Sequence, residues 1–111
     1  DIELVAEELF LNEEILSTII CLTKISEPNI DQYFNFIKDI KNIYVIEEGS
    51  DLGGFSSEII SILAENNQIR NKNISRLGNR NLIPCSKELE RQVVPNNELI
   101  YKFIMEKYGK N

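Results

Sequence analysis

The residues best able to do chemistry sit in one stretch, Glu47-Glu48-Gly49-Ser50-Asp51-Leu52-Gly53-Gly54. They follow residues 43–46 (IYVI), an apolar run that reads as a short buried strand. In open α/β sheets, sites form at the carboxyl ends of strands. Successive strand residues point to opposite faces, so only one of Glu47 and Glu48 can aim at a given crevice. That carboxylate has two possible roles. It can act as a general base or ion-pair partner in the crevice. It can instead accept N–H groups of the glycine loop or of the next helix, where negative charge is favoured. The second is the commoner use of such a group.

The glycine loop invites comparison with phosphate-binding turns, but it fits neither G-x-G-x-x-G nor G-x-x-x-x-G-K-[ST]. No Lys or Arg occurs between Ile43 and Ile69, whereas Glu47, Glu48, Asp51 and Glu58 do. The local field opposes an anion. Gly49, Gly53 and Gly54 are therefore expected to serve backbone conformation and close helix–strand approach.

Other chemistry is thinly supplied. The chain has no histidine and no tryptophan, so no Ser-His-Asp or Cys-His arrangement can form within it. Cys21 and Cys85 are neither a disulfide framework nor a zinc site. Cys21, in an apolar run, is expected to be a buried small hydrophobe. Cys85, after a proline in a polar loop, is expected to be exposed. The run from Lys87 to Arg91 reads as a solvated helix face. Phe55, Tyr101, Phe103 and Tyr108 read as core and rim.

The positioning elements follow from periodicity. Ile2, Val5, Ala6 and Leu9 share one face of a first helix, with a turn at Asn12. Residues 15–22 (ILSTIICL) are nearly all apolar and read as a strand buried on both faces. Asn29 and Gln32 resemble a capping box for a second helix with Ile30, Tyr33, Phe34 and Ile37 inward, closed by Asn42. After strand 43–46 and the glycine loop comes a helix with Phe55, Ile59, Ile62 and Leu63 on one face, capped by Ser56 or Ser57 and ended by Asn66 and Asn67. Residues 74–77 are a third strand. A loop with Gly78 and Pro84 leads to a short turn capped by Ser86. Pro95 and Asn96 open a last helix with Leu99, Ile100, Phe103 and Ile104 inward. This alternation predicts an α/β fold, three-layer α/β/α, with a mainly parallel sheet.

Bulk properties narrow the class. At 111 residues the chain is expected to be one domain, spanning 1–111, able to hold a core without metal or disulfide. A hydrophobic fraction of 42% and a charged fraction of 27% are ordinary for a globular chain. The net charge of −6 argues against nucleic acid and against an anionic membrane surface as partner. No apolar stretch is long enough for a membrane span.

Two segments resemble a known family. Residues 43–59 (IYVIEEGSDLGGFSSEI) are similar to the strand, E-E-G and G-G-[FV]-x-x-E-[IV] helix start of the transketolase C-terminal domain. Residues 83–90 (IPCSKELE) followed by Val94-Pro95 resemble the P-x-[SA]-x-x-L-E-x-x-x-x-P ending of beta subunits of pyruvate and branched-chain 2-oxo acid dehydrogenases. Arg76 matches that subgroup's arginine. The family's opening strand and glycine turn have no counterpart before Ile2, so its first strand is expected to be missing. The family's D-L-R-x-x-x-P is represented only by Thr23-Lys24 before Pro28.

The resemblance implies a transketolase C-terminal-like fold. It also implies a parent enzyme that oxidatively decarboxylates a 2-oxo acid on thiamine diphosphate with magnesium, both held by other domains. This domain would then carry no cofactor or catalytic residue. It would pack against the alpha subunit and a second beta subunit, and help dock the subunit-binding domain of the acyltransferase. That partner is typically basic, and a −6 chain would complement it. The residues expected to shape the loop or an interface are Glu47, Glu48, Gly49, Gly53, Gly54 and Glu58, with Arg76, Pro84, Glu90 and Pro95. A cytoplasmic location follows, or the mitochondrial matrix in a eukaryote. A transketolase or 1-deoxy-D-xylulose-5-phosphate synthase, and a stand-alone interaction module, are the alternatives.

Overall fold

The computed structural model describes residues 2–26, 28–66, 69, 71–79 and 85–108. Helix α1 spans Ile2–Glu13. A 3-10 turn at Ile30–Tyr33 runs into the short helix α2, Phe34–Ile37. Strand β1 (Asn42–Ser50), helix α3 (Phe55–Glu65) and strand β2 (Asn73–Asn79) follow. Helices α4 (Lys87–Val93) and α5 (Asn97–Lys107) end the described chain.

β1 and β2 pair in parallel, Ile43 opposite Ile74 and Ile46 opposite Leu77, as a β-α-β crossover requires. Between Ile46 and Ser50 the register slips, and pairing resumes at Ser50 opposite Asn79. At the strand starts, Asn73 Nδ2 donates to Asn42 Oδ1 at 3.0 Å. Lys72 Nζ donates to the carbonyls of Lys38, at 2.8 Å, and Ile40, just past the C-terminus of α2.

Strand alternation sends side chains into two cores. Ile43, Val45 and Ile74 pack with Ile30, Ile37, Ile59 and Leu63 of the 3-10 turn, α2 and α3. Tyr44, Ile46 and Leu77 pack with Val5 and Leu9 of α1 and Ile100 and Ile104 of α5. Helices therefore cover both faces, giving three α/β/α layers around a two-stranded parallel sheet. Tyr44 meets Phe103 edge to face, ring centroids 6.0 Å apart.

Several expectations are corrected. Residues 15–22 form no strand. Leu16 is 82% exposed, Ile19 42% and Ile20 36%, and Cys21 is exposed rather than buried. An apolar, β-branched run has the local preference for a strand, but pairing depends on docking against a distant edge. The sheet thus has two strands rather than three among the described residues. Asn12 makes no turn. α1 runs on to Glu13 and ends where Glu14 adopts φ 55°, its N–H bonded to the Phe10 carbonyl at 3.1 Å. Asn29 stands at the start of the 3-10 turn without a side-chain capping bond, so no capping box forms. Asn42 begins β1 instead of closing α2. Gly54, not a serine, occupies the N-cap of α3. Gly78 lies within β2, not in a loop. Asn67 and Pro84 lie outside the described residues. No helix among the described residues is long and apolar enough to cross a membrane.

Candidate functional site

The corner after β1 is where the chemistry-bearing residues converge. Ile43 and Val45 face α3, and two residues further along the same face comes Glu47, which reaches the start of that helix. Its Oε1 accepts the backbone N–H of Ser56 at 3.1 Å and the Ser56 hydroxyl at 2.6 Å. A helix N-terminus carries unpaired donors and a partial positive charge. Gly54 at the N-cap has no side chain to satisfy them, so the carboxylate arrives from the strand. Glu48, the other candidate, points away and is exposed.

The second serine of the first turn ties α3 to β2. Arg76, opposite Val45 in the sheet, donates from Nη1 to Ser57 Oγ at 2.6 Å. Ser57 Oγ in turn donates to the Asp51 carbonyl at 3.3 Å. The Asp51 N–H donates to the Asn79 carbonyl, also at 3.3 Å, and Ser50 Oγ accepts from the Leu52 N–H at 3.2 Å. The start of α3 is thereby bonded to β1, to β2 and to the loop between them.

Backbone shape completes the corner. Gly53 has φ 70°, in the left-handed region that glycine enters without penalty. A Cβ on Gly54 would collide with the Ser50 carbonyl oxygen and lie 2.5 Å from Glu47 Oε1. Gly49 makes no comparable demand, because its Cβ would meet only ordinary contacts.

The polar groups of the corner bond mainly to one another. Ser56 is 1% exposed, so its hydroxyl cannot meet a substrate. Glu47 Oε1 accepts two hydrogen bonds from Ser56, which fixes the carboxylate on the helix start. Arg76 is turned onto Ser57 instead of onto a vacant anion seat. Among the described residues, no group of three or more His, Cys, Asp or Glu side chains could hold a metal ion.

The remaining expected residues are scattered. Glu58 is exposed in the first turn of α3, and Glu90 is exposed on α4. Pro95 is buried in the link between α4 and α5. Pro84 lies outside the described residues. Lys87 to Arg91 is exposed throughout, as a solvated face should be.

Residues that sequence reasoning passed over include Ser56 and Ser57 in their bridging roles and Gly78, whose Cβ would come within 2.7 Å of the Asp51 Cβ. Their only signal was position, two serines just past a glycine pair and a glycine directly after residues 74–77 (ISRL). No family model, curated protein or solved structure matches the chain.

Proposed function

We propose that the chain is an assembly domain, the C-terminal domain of the beta subunit of a thiamine-diphosphate-dependent 2-oxo acid dehydrogenase. It packs against the alpha subunit and a second beta subunit, and helps dock the acyltransferase's subunit-binding domain. It performs no step of the decarboxylation. The observation that carries the non-catalytic part is the closure of the corner, with Glu47 bonded to the α3 N-terminus and Arg76 to Ser57. The α/β/α layering supports the reading. The parentage itself rests on the resemblance of residues 43–59 and 83–95. Docking by a net charge of −6 on a basic partner gives an attraction that rising salt screens.

The test uses the full-length protein that carries this sequence, mixed with its alpha subunit, thiamine diphosphate and magnesium. Turnover of pyruvate or a branched-chain 2-oxo acid is expected, with acyltransferase binding that weakens as salt rises. Turnover of sugar phosphates instead would place the chain with the transketolases or deoxyxylulose-phosphate synthases. Absence of any thiamine-dependent activity would overturn the assignment. Glu47→Ala should lower subunit assembly, read by sedimentation. It should leave the turnover of the assembled fraction unchanged, because the residue touches no substrate.

A further inference from the structure

Helix α1 buries one side and leaves a second apolar line in water. Val5 and Leu9 are buried in the core shared with α5, yet Leu4 is 54% exposed and Leu11 68%. One heptad separates these two leucines, which puts them about 20° apart around the helix and about 10 Å apart along it. They stand on the side away from Val5 and Leu9. No other helix among the described residues exposes more than one large apolar side chain. A single exposed leucine is ordinary, whereas an aligned pair makes a face.

Glu7 and Glu8 lie between the leucines, one on each flank, and both are exposed. Leu4, Glu7, Glu8 and Leu11 therefore stand at i, i+3, i+4 and i+7. Four residues so placed form the hole that receives one side chain of a facing helix. Leucines close this hole at its two ends, and carboxylates close its sides. We propose that the outer face of α1 docks a cationic helix of another protein, with one of its side chains seated in the hole and its Lys or Arg residues on Glu7 and Glu8. Lys and Arg suit such a face, because their stems cover apolar surface while their heads meet the carboxylates.

Charge selects this occupant. From Ile2 to Thr23 the chain has no Lys or Arg, while Glu3, Glu7, Glu8, Glu13 and Glu14 are acidic. Glu3 and Glu7 are like charges at i, i+4, and the last turn of α1 has no basic residue to meet the helix dipole. A cationic neighbour offsets both. A second copy is disfavoured, because α1 paired with itself in either direction sets glutamates against glutamates at the centre of the contact. Anionic lipid is repelled by the same charges. The two leucines give the face a shape that a diffuse net charge lacks. Recognition here depends on the chemistry of α1 alone, whichever enzyme the chain belongs to.

The test uses the full-length protein that carries this sequence and labelled synthetic helical peptides of about three heptads. One has a single leucine stripe flanked by lysines. The second replaces each lysine by glutamate, and the third keeps the lysine composition with the leucines moved off the stripe. By fluorescence anisotropy the first is expected to bind about tenfold or more tightly than either control. Leu4→Ser with Leu11→Ser should weaken that binding about tenfold while circular dichroism is unchanged, since both side chains are exposed. Leu89→Ser, at an exposed leucine of α4, should leave it as it was. Glu7→Lys with Glu8→Lys should move the preference to the glutamate peptide. Equal binding of the lysine and glutamate peptides, indifference to Leu4 and Leu11, or an equal loss in Leu89→Ser would overturn the proposal. So would self-association of the protein that Leu11→Ser abolishes, which gives the face to a second copy. Binding to phosphatidylcholine vesicles that Leu11→Ser abolishes would give it to a membrane and overturn the proposal as well.

Discussion

Glu47 and Ser56 form a pair in which one carboxylate oxygen accepts two bonds, from the Ser56 hydroxyl at 2.6 Å and from its backbone N–H at 3.1 Å. The strand thus caps the helix that follows it, across nine positions of sequence. Ser56 is nearly inaccessible, so the hydroxyl bond is shielded from competing water. Charge-assisted bonds at such a site are among the stronger ones.

The pair should matter to stability far more than its neighbour does. Glu47→Ala is expected to destabilise the fold by about 2 kcal/mol, through loss of the cap and of a charged acceptor. Glu47→Gln keeps an acceptor oxygen without the charge and should fall at roughly half that value. Glu48→Ala removes an exposed side chain and should stay within about 0.5 kcal/mol. Urea denaturation of the three variants, compared at constant m, checks the order. Equal effects at Glu47 and Glu48 would contradict the capping role.

The corner glycines should separate by mechanism. Gly54→Ala drives a Cβ into the Ser50 carbonyl and toward Glu47 Oε1, so the loop must move. A loss of about 3 kcal/mol is expected. Gly53→Ala meets no atom within 4 Å and suffers only its positive φ, about 1 kcal/mol. Gly49→Ala should be nearly silent, within about 0.5 kcal/mol. Thermal melts of the three variants read the ranking. A Gly54→Ala protein as stable as Gly49→Ala would refute the close approach.

The two late helices offer a matched comparison of caps. Asn96 Oδ1 accepts the Leu99 N–H at 3.1 Å, whereas Ser86, in the same position before α4, makes no side-chain capping bond. Asn96→Ala should destabilise by about 1 kcal/mol, while Ser86→Ala should be close to neutral. The difference also has a location. α5 supplies Ile100 and Ile104 to the core, and α4 buries none of its residues. Asn96 Nδ2 also donates to the Arg91 carbonyl of α4, so native-state hydrogen exchange should show Asn96→Ala raising the exchange of α5 amides most, with a smaller rise at the C-terminal end of α4.

Much of this is legible in the residues, and what is not has a common cause. Val5 and Leu9 recur at helical spacing, and Ile43 to Ile46 is a short apolar run bounded by polar residues, so α1 and β1 follow from local pattern; residues 74–77 (ISRL) carry Ser75 and Arg76 between their two apolar residues and mark β2 far less clearly. One of Glu47 and Glu48 could be read as a backbone acceptor, because strand parity lets only one of them into a given crevice, but parity alone does not say which. Its partner could not be identified, because Ser56 is brought to it by the loop's path. Gly78 shows its purpose only once β2 lies beside Asp51. Residues 15–22 have the composition of a strand, yet composition does not supply a bonded neighbour.

Tyr44 gives the pH dependence. Its hydroxyl is buried and has no hydrogen-bond partner among the described residues. Burial, and secondarily the nearby Tyr108, holds its pKa above the ordinary value of 10.0. Both folded and unfolded chains keep the proton below pH 10, so the contribution is fully present there. As pH rises past 10.0 the unfolded chain ionises first, and stability falls until the folded pKa is passed. Denaturation midpoints should therefore drop between pH 10 and the onset of general alkaline unfolding. Tyr44→Phe keeps the edge-to-face contact with Phe103 and removes the unpaired hydroxyl. It should be neutral or stabilising by up to about 1 kcal/mol at neutral pH. The alkaline drop should shrink in the same variant. A Tyr44→Phe chain that loses stability at pH 7 would mean that the hydroxyl has a bonded partner in solution, and that its pKa is set by that partner rather than by burial.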